Sequence, residues 1–358
     1  MNDARAMPRH VMIMAAGTGG HIFPGLAVGR ALIAEGLRVS WLGTPQGLEN
    51  RIVPEAGIEL DQIDISGLRG RGWLGWLVAP MRVWRAMRQA RAIFKRQRPD
   101  CVLSMGGYVA GPGGLMARWM RIPLVLHEQN AIAGLTNRWL RPFARRVLAG
   151  FPDVLEGAEH CGNPVREDIA AVAHPRTRYL ARQGPLRILI IGGSQGALAF
   201  ASKIPEALAL LPSSRRPRVL HQAGRQLEAT RKAYATAGVE GEVVEFIDDM
   251  ATAWADADLA ICRAGALTVA ELAAAGVASI LVPFPAAVDD HQTANARYLS
   301  EAGAAWLIKQ DDLSPELLAE RLAEQNRLKL AEMAESARGL ARPGATAAVA
   351  RACREVAE

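Results

Sequence analysis

Leu259-Ala-Ile-Cys-Arg-Ala-Gly-Ala-Leu-Thr-Val-Ala-Glu271 decides the fold. Leu259 to Cys262 reads as a buried strand, Gly265 breaks it, and an alanine-rich helix follows. A strand that turns on a glycine into a helix leaves the N–H groups of Ala266, Leu267 and Thr268 without intrahelical partners, in front of the positive end of the helix dipole. They form a cradle for an anion. Glu271 lies one turn further on, about 5 Å along the axis, and its carboxylate can accept from neighbouring hydroxyls. Anion plus diol outlines a nucleotide, and the same residues also make a plain capped helix of a doubly wound sheet.

Outward from this stretch, the same unit recurs. Val11 to Ala15 is an apolar run followed by Ala16-Gly-Thr-Gly-Gly-His21 and an apolar-periodic helix from about Phe23. Further strands read at Val39 to Leu42, Ile58 to Ile65, Cys101 to Leu103, Leu124 to Leu126 and Val147 to Leu148. The pattern restarts with Arg187-Ile-Leu-Ile-Ile191 and Gly192-Gly-Ser-Gln-Gly196, then strands at Arg218 to His221, Val243 to Phe246, Leu259 to Ile261 and Ser279 to Val282. Such alternation predicts an α/β fold of two Rossmann-like, doubly wound parallel sheets, with ligands at the strands' carboxyl ends in a cleft between them. Gly162-Asn-Pro-Val-Arg166 carries a glycine, a helix-breaking proline and a shift of charge balance. The boundary is therefore placed there: residues 1–163, then 164–343, with the last helix, 344–358, returning to the first domain.

At 358 residues and half apolar, the chain can bury two cores. Cys101, Cys161, Cys262 and Cys353 are far apart and none forms a C-x-x-C pair, which argues against a disulfide framework and a zinc site. Val11 to Ala16 is too short for a signal peptide, and Cys101 to Ala117, uncharged but glycine-rich, is no membrane span. Residues 1–165 hold 20 Lys and Arg against 12 Asp and Glu; residues 166–358 hold 22 against 24. The basicity therefore belongs to the first half. Between Ser66 and Pro99 there are nine basic residues, no acidic one, and Trp73, Trp76 and Trp84. Aromatics interleaved with cations suit an anionic membrane surface. They also suit RNA, but no RNA-binding motif accompanies them, so no nucleic-acid partner is expected.

Gly17-Thr-Gly-Gly-His21 is not a dinucleotide fingerprint, because the third glycine would fall on Ile22 and no acid follows the second strand. An NAD enzyme is thereby disfavoured. Its glycines still offer N–H groups to an anion, and a neutral His21 in the first turn can take a proton from a hydroxyl. Gly106 to Gly114 is a second glycine loop, with Tyr108 in it, and suits either a diphosphate or a tight crossover. His127-Glu-Gln-Asn130 sets polar groups directly after a buried strand, where they need a ligand or each other. Asp256-Ala-Asp258 matches a D-x-D metal motif but precedes its strand, at the wrong edge of the sheet for the ligand. No metal and no other cofactor is expected.

Nine motifs in order resemble one family: Gly17-Thr-Gly-Gly-His-Ile-Phe-Pro24, Ser66-Gly-Leu-Arg-Gly70, Met105 to Gly114, His127 to Asn130, Gly162 to Arg166, Gly192 to Ala197, Glu245-Phe-Ile-Asp-Asp-Met250, Cys262 to Glu271 and Asp290-His-Gln-Thr-Ala-Asn-Ala296. The chain resembles the MurG family of lipid-linked N-acetylglucosaminyltransferases, which have the GT-B fold. The resemblance implies inverting transfer of N-acetylglucosamine from UDP-N-acetylglucosamine to the 4-hydroxyl of a muramoyl-pentapeptide on undecaprenyl diphosphate, by a peripheral enzyme on the cytoplasmic face of the plasma membrane. An epimerase or hydrolase of the same fold is the alternative. By matching motif, Ile247 and Arg166 would meet the uracil end and Glu271 the ribose, while Ser194 and the helix start at Ala266, Leu267, Thr268, Val269 and Ala270 would meet the diphosphate. Gln292, Asn130, Thr18, Gly19 and Gly20 would surround the sugar, with His21 as base and Tyr108 on the acceptor. His291 stands where some relatives have a second glutamine.

Overall fold

The computed structural model describes residues 8–17, 19–66, 72–193 and 196–358, and for 72–78 the backbone alone. Thr18, Ser194 and part of the Ser66 to Gly70 motif lie outside the described residues, as do the side chains of Trp73 and Trp76. The chain divides into two compact units, residues 1–165 with 343–358, and residues 166–342.

In the first unit the strands are β1 (His10–Met14), β2 (Arg38–Gly43), β3 (Glu59–Gln62), β4 (Cys101–Ser104), β5 (Leu124–Glu128), β6 (Arg146–Ala149) and β7 (Glu159–His160). They form a parallel sheet in the order β3-β2-β1-β4-β5-β6-β7. Every residue of β1 is buried, as a central parallel strand covered on both faces requires. Successive side chains point to opposite faces. Val11 and Ile13 enter a core with Ile22, Leu26, Val349 and Cys353; Met12 and Met14 enter the other, with Ala90, Phe94 and Met116. The helix Gly19–Ala34 approaches the sheet closely through Gly25, where a Cβ would lie 2.6 Å from the Trp41 ring, and Gly29, four residues on. The last helix, Ala345–Ala357, packs into this core although it follows the second unit in the chain.

The second unit holds β8 (Arg187–Ile191), β9 (Arg218–Gln222), β10 (Glu242–Val244), β11 (Leu259–Cys262), β12 (Ser279–Leu281) and β13 (Ala305–Leu307), all parallel, in the order β10-β9-β8-β11-β12-β13. Here Ile188 pairs with Val219 on one side and Leu259 on the other.

Both sheets reverse their winding once, between β1 and β4 in the first and between β8 and β11 in the second. At such a switch point neighbouring connections leave in opposite directions and open a crevice at the carboxyl ends. The loops after β1 and β4, and those after β8 and β11, are the glycine-bearing segments singled out in the sequence. Three expectations are corrected. The third strand spans only Glu59–Gln62, β7 and β13 were not foreseen, and the first helix begins at Gly19, so that its glycines are helical. Among the described residues no helix is long and apolar enough to cross a membrane.

Candidate functional site

In the first unit the site is built on the loops after β1, β4 and β5. Gly19, Gly20 and His21 form the first turn of their helix, with His21 half-buried. Its Nδ1 lies 3.0 Å from Gln129 Oε1. Gln129 Nε2 is 3.1 Å from His127 Nδ1, and His127 Nε2 is 3.0 Å from the Gly162 carbonyl. His127 and Gln129 are buried. Burial pushes the His127 imidazole below its ordinary pKa, against smaller opposing effects of the Gly162 carbonyl and Glu128. The loop after β5 is folded by Glu128, whose carboxylate accepts from the Asn130 N–H (2.9 Å), the Gly134 N–H (3.0 Å) and Asn137 Nδ2 (2.7 Å). Gly106 and Gly107 both have positive φ, and a Cβ at Gly106 would lie 3.2 Å from the His21 ring. Tyr108, next in that loop, is exposed. Below the first glycine loop the buried Glu49 accepts from the Gly17 N–H (3.2 Å), the Thr44 N–H (3.1 Å) and the Thr44 hydroxyl (2.8 Å).

In the second unit the helix Ala266–Ala275 starts after Gly265 and has no side-chain cap. The Val269 N–H bonds to the Gly265 carbonyl at 3.0 Å, so Ala266, Leu267 and Thr268 carry the outward-facing amides. Ala266 and Val269 are buried, while Leu267, Thr268 and Ala270 are half-buried. Asn295 Nδ2 donates to the Ala264 carbonyl (3.0 Å) and Arg263 to the Val282 and Pro283 carbonyls (3.1 Å each), which fixes the turn. Glu271 is mostly buried; Oε2 accepts from Trp254 Nε1 at 3.1 Å and Oε1 lies 3.6 Å from Arg166. Burial raises its pKa, and Arg166 opposes that rise. Ile247 follows β10 in the loop that ends at Asp249, which caps the next helix by accepting from the Thr252 N–H. Gln292 turns its Oε1 to the Phe284 N–H at 2.9 Å, leaving its amide nitrogen for other partners. Neighbouring His291 is occupied by the Val288 carbonyl at 2.7 Å.

The glycosyltransferase family 28 N-terminal domain matches residues 11–149 and the C-terminal domain of the same family matches residues 187–350. A UDP-N-acetylglucosamine--N-acetylmuramyl-(pentapeptide) pyrophosphoryl-undecaprenol N-acetylglucosamine transferase of Bordetella petrii is 55% identical, over 97% of this chain and 98% of its own. The enzyme of the same name from Azoarcus is 56% identical, with the same coverage. MurG of Acinetobacter baumannii, a crystal structure, superposes with a TM-score of 0.85 at 45% identity, covering 97% of this chain and all of that one. The chain belongs to the MurG family.

The MurG family places this chain among the glycosyltransferases, and its two parallel sheets are those of the GT-B fold. A UDP-GlcNAc 2-epimerase from Neisseria meningitidis has the same fold at 12% identity and a TM-score of 0.66, a likeness of fold alone, so the epimerase alternative is not favoured. Asp258 of the D-x-D pair is fully buried at the start of β11, where Arg182 (2.6 Å), Arg327 (3.2 Å) and the Arg187 N–H (2.9 Å) occupy its oxygens. It is a structural node of this MurG-family chain. Of the polar run His127 to Asn130, only Asn130 is a site candidate from the sequence. Glu128 and Gln129 carry the signal of polarity straight after a buried strand, whereas Glu49 and Trp254, both on helices, carry none in the sequence.

Proposed function

We propose that the chain transfers N-acetylglucosamine from UDP-N-acetylglucosamine to the 4-hydroxyl of the muramoyl sugar of undecaprenyl-diphosphate-linked pentapeptide, with inversion. The observation that carries the reading is full-length identity of 52–56% to enzymes whose name states that donor and that acceptor. The second unit takes the donor: Ile247 and Arg166 at the uracil, Glu271 at the ribose, Ser194 with Ala266, Leu267, Thr268, Val269 and Ala270 at the diphosphate, and Gln292 at the sugar. Charge on the departing UDP meets the exposed amides and dipole of the helix that begins at Ala266. The first unit takes the acceptor, with Thr18, Gly19, Gly20, Tyr108 and Asn130 around the reacting sugars. His21 Nε2 accepts the proton of the 4-hydroxyl as its oxygen bonds to C1, and the C1–O bond to UDP breaks with its electron pair leaving on the diphosphate.

The chain works as a peripheral protein on the cytoplasmic, anionic face of the plasma membrane. The first unit exposes Met81, Trp84, Trp119, Trp139 and Phe143. Arginines lie against these rings: Arg88 at 4.8 Å from Trp84, Arg91 at 5.1 Å from Trp119 and Arg118 at 5.8 Å from Phe143. Rings at headgroup depth with cations beside them bind both parts of an anionic interface. Incubation with labelled donor, with and without the lipid-linked acceptor, tests the reaction: product forms only with acceptor, whereas free sugar without it refutes the transferase. Vesicle sedimentation tests the surface, and equal partitioning to anionic and neutral lipid would count against its electrostatic part.

A further inference from the structure

We infer that Gln129 is a positioning residue that fixes the proton of His21 on Nδ1 and leaves Nε2 bare as the basic nitrogen. The inference rests on the reading of His21 as base and adds how its tautomer is chosen. It follows from two main-chain oxygens that can only accept. The Gly162 carbonyl, 3.0 Å from His127 Nε2, requires a proton there. His127 is fully buried and burial favours the neutral ring, so its Nδ1 carries none and needs a donor. The donor is Gln129 Nε2, 3.1 Å away. The same nitrogen lies 3.2 Å from the carbonyl of His127, the second fixed acceptor. Both neighbours therefore orient the amide alike, and the Asn163 amide holds its main chain through the Gln129 carbonyl at 2.9 Å.

Turning the amide over would set its oxygen against the His127 carbonyl. It would also demand a proton on His127 Nδ1, leaving bare Nε2 facing the Gly162 oxygen. Two acceptor pairs would face each other without a proton in a buried site, each carrying the full desolvation cost of an unsatisfied polar group. The amide oxygen is thus aimed at His21 Nδ1, 3.0 Å away, and it too can only accept. A free histidine side chain in water favours the other tautomer, with its proton on Nε2, so the relay from Gly162 works against an intrinsic preference. An amide differs from the carboxylate that orients histidine in hydrolytic triads: it selects the tautomer without adding a charge. The titratable groups near this relay are His127 itself, Glu128, engaged by Asn130, Gly134 and Asn137, and Cys161, whose thiol, pushed up to about 12 by burial and so protonated, donates to the Gly162 carbonyl at 3.3 Å and leaves that oxygen an acceptor.

The test is a long-range proton–nitrogen correlation spectrum of the full chain labelled with nitrogen-15 histidine, at a pH where His21 is neutral, with its signals assigned by their loss in His21→Gln. The wild type is expected to show a protonated Nδ1 and a bare Nε2; a protonated Nε2 overturns the inference without any variant. Gln129→Met removes the acceptor at similar length. It should move the His21 signature toward the other tautomer and lower kcat about tenfold or more at an unchanged KM for the donor. A folded Gln129→Met variant with the wild-type His21 signature refutes the lock. Gln129→Glu keeps an acceptor toward His21 and should retain the signature. Turnover of His21→Gln judges the base separately: wild-type kcat in that variant sinks the base, while a protonated Nδ1 on His21 in the wild-type spectrum leaves the lock standing.

Discussion

Replacing Asp258 by asparagine separates a structural carboxylate from a metal ligand. The side chain is fully buried and receives Arg182 at 2.6 Å, Arg327 at 3.2 Å and the Arg187 N–H at 2.9 Å. Those guanidinium groups are themselves mostly buried, with side chains 12% and 16% exposed, and they also donate to main-chain oxygens: Arg182 to Ala257, Arg327 to Gly184 and Pro185. Asp258→Asn leaves two cations facing a neutral amide. Breaking a buried ion pair from one side costs 3–5 kcal/mol, and because the amide oxygen still accepts from one arginine, the lower end, about 3 kcal/mol, is expected. With a urea slope of about 2 kcal/mol/M, the midpoint falls by roughly 1.5 M. Asp256 pairs with Arg187 at 3.2 Å, but both are exposed, so Asp256→Asn costs less than about 0.5 kcal/mol. Urea unfolding followed by fluorescence and circular dichroism reads both variants. A midpoint shift in Asp258→Asn below about 0.3 M would refute the reasoning, as would equal losses of transferase activity in both variants that manganese restores.

Three further outcomes are expected. Glu271→Gln keeps an acceptor for Trp254 but removes the charge facing Arg166; it should raise the KM for UDP-N-acetylglucosamine about tenfold with kcat nearly unchanged, and steady-state kinetics that found KM unmoved would remove Glu271 from the donor site. Burial pushes His221 down to about 4 from 6.5, so the unfolded chain binds the extra proton between those values. The contribution, about 3 kcal/mol, is complete above pH 6.5 and is lost as pH falls toward 4; urea midpoints across that range should flatten in His221→Phe relative to the parent, which keeps buried His127 as a second source of the same slope. Gly107→Ala sets a Cβ 2.7 Å from the Ala16 carbonyl oxygen at φ +82°, whereas at Gly36, φ +85°, nothing lies within 4 Å. The first should cost about 2 kcal/mol or more and the second about 1, and equal melting points would show that the close approach is relieved.

The elements legible in the sequence were those whose burial leaves a continuous apolar run. Val11 to Ala15 and Arg187 to Ile191 announced central parallel strands, and the glycines after each announced a turn into a helix. Of the four edge strands, β3 and β10 were legible as Ile58 to Ile65 and Val243 to Phe246, and β7 and β13 were not. The β7 strand is Glu159-His160, polar and two residues long, so it did not rise above its flanks, and the three-residue β13 was missed. Position along the chain also told which end of the sheet a motif occupies, which is why Asp258 could be set apart from the ligand edge. Its arginine partners, 76 and 69 residues away, could not be read. His21 was visible because it follows a glycine loop. The residues that orient it were not, since Gln129 is 108 positions away in sequence and the relay ends on a main-chain oxygen, which any residue supplies.

The helix Ala345–Ala357 has a consequence for biosynthesis. It buries Val349 and Cys353 beside Val11 and Cys101, so the amino-terminal core lacks one wall until residues 166–342 and this helix have been translated. Residues 166–342 are contiguous and emerge whole, while the portion translated first waits longest for completion. During that interval an apolar sheet face stands open to chaperones, and a nascent chain stalled just before Ala345 would carry a finished second unit on an unfinished first.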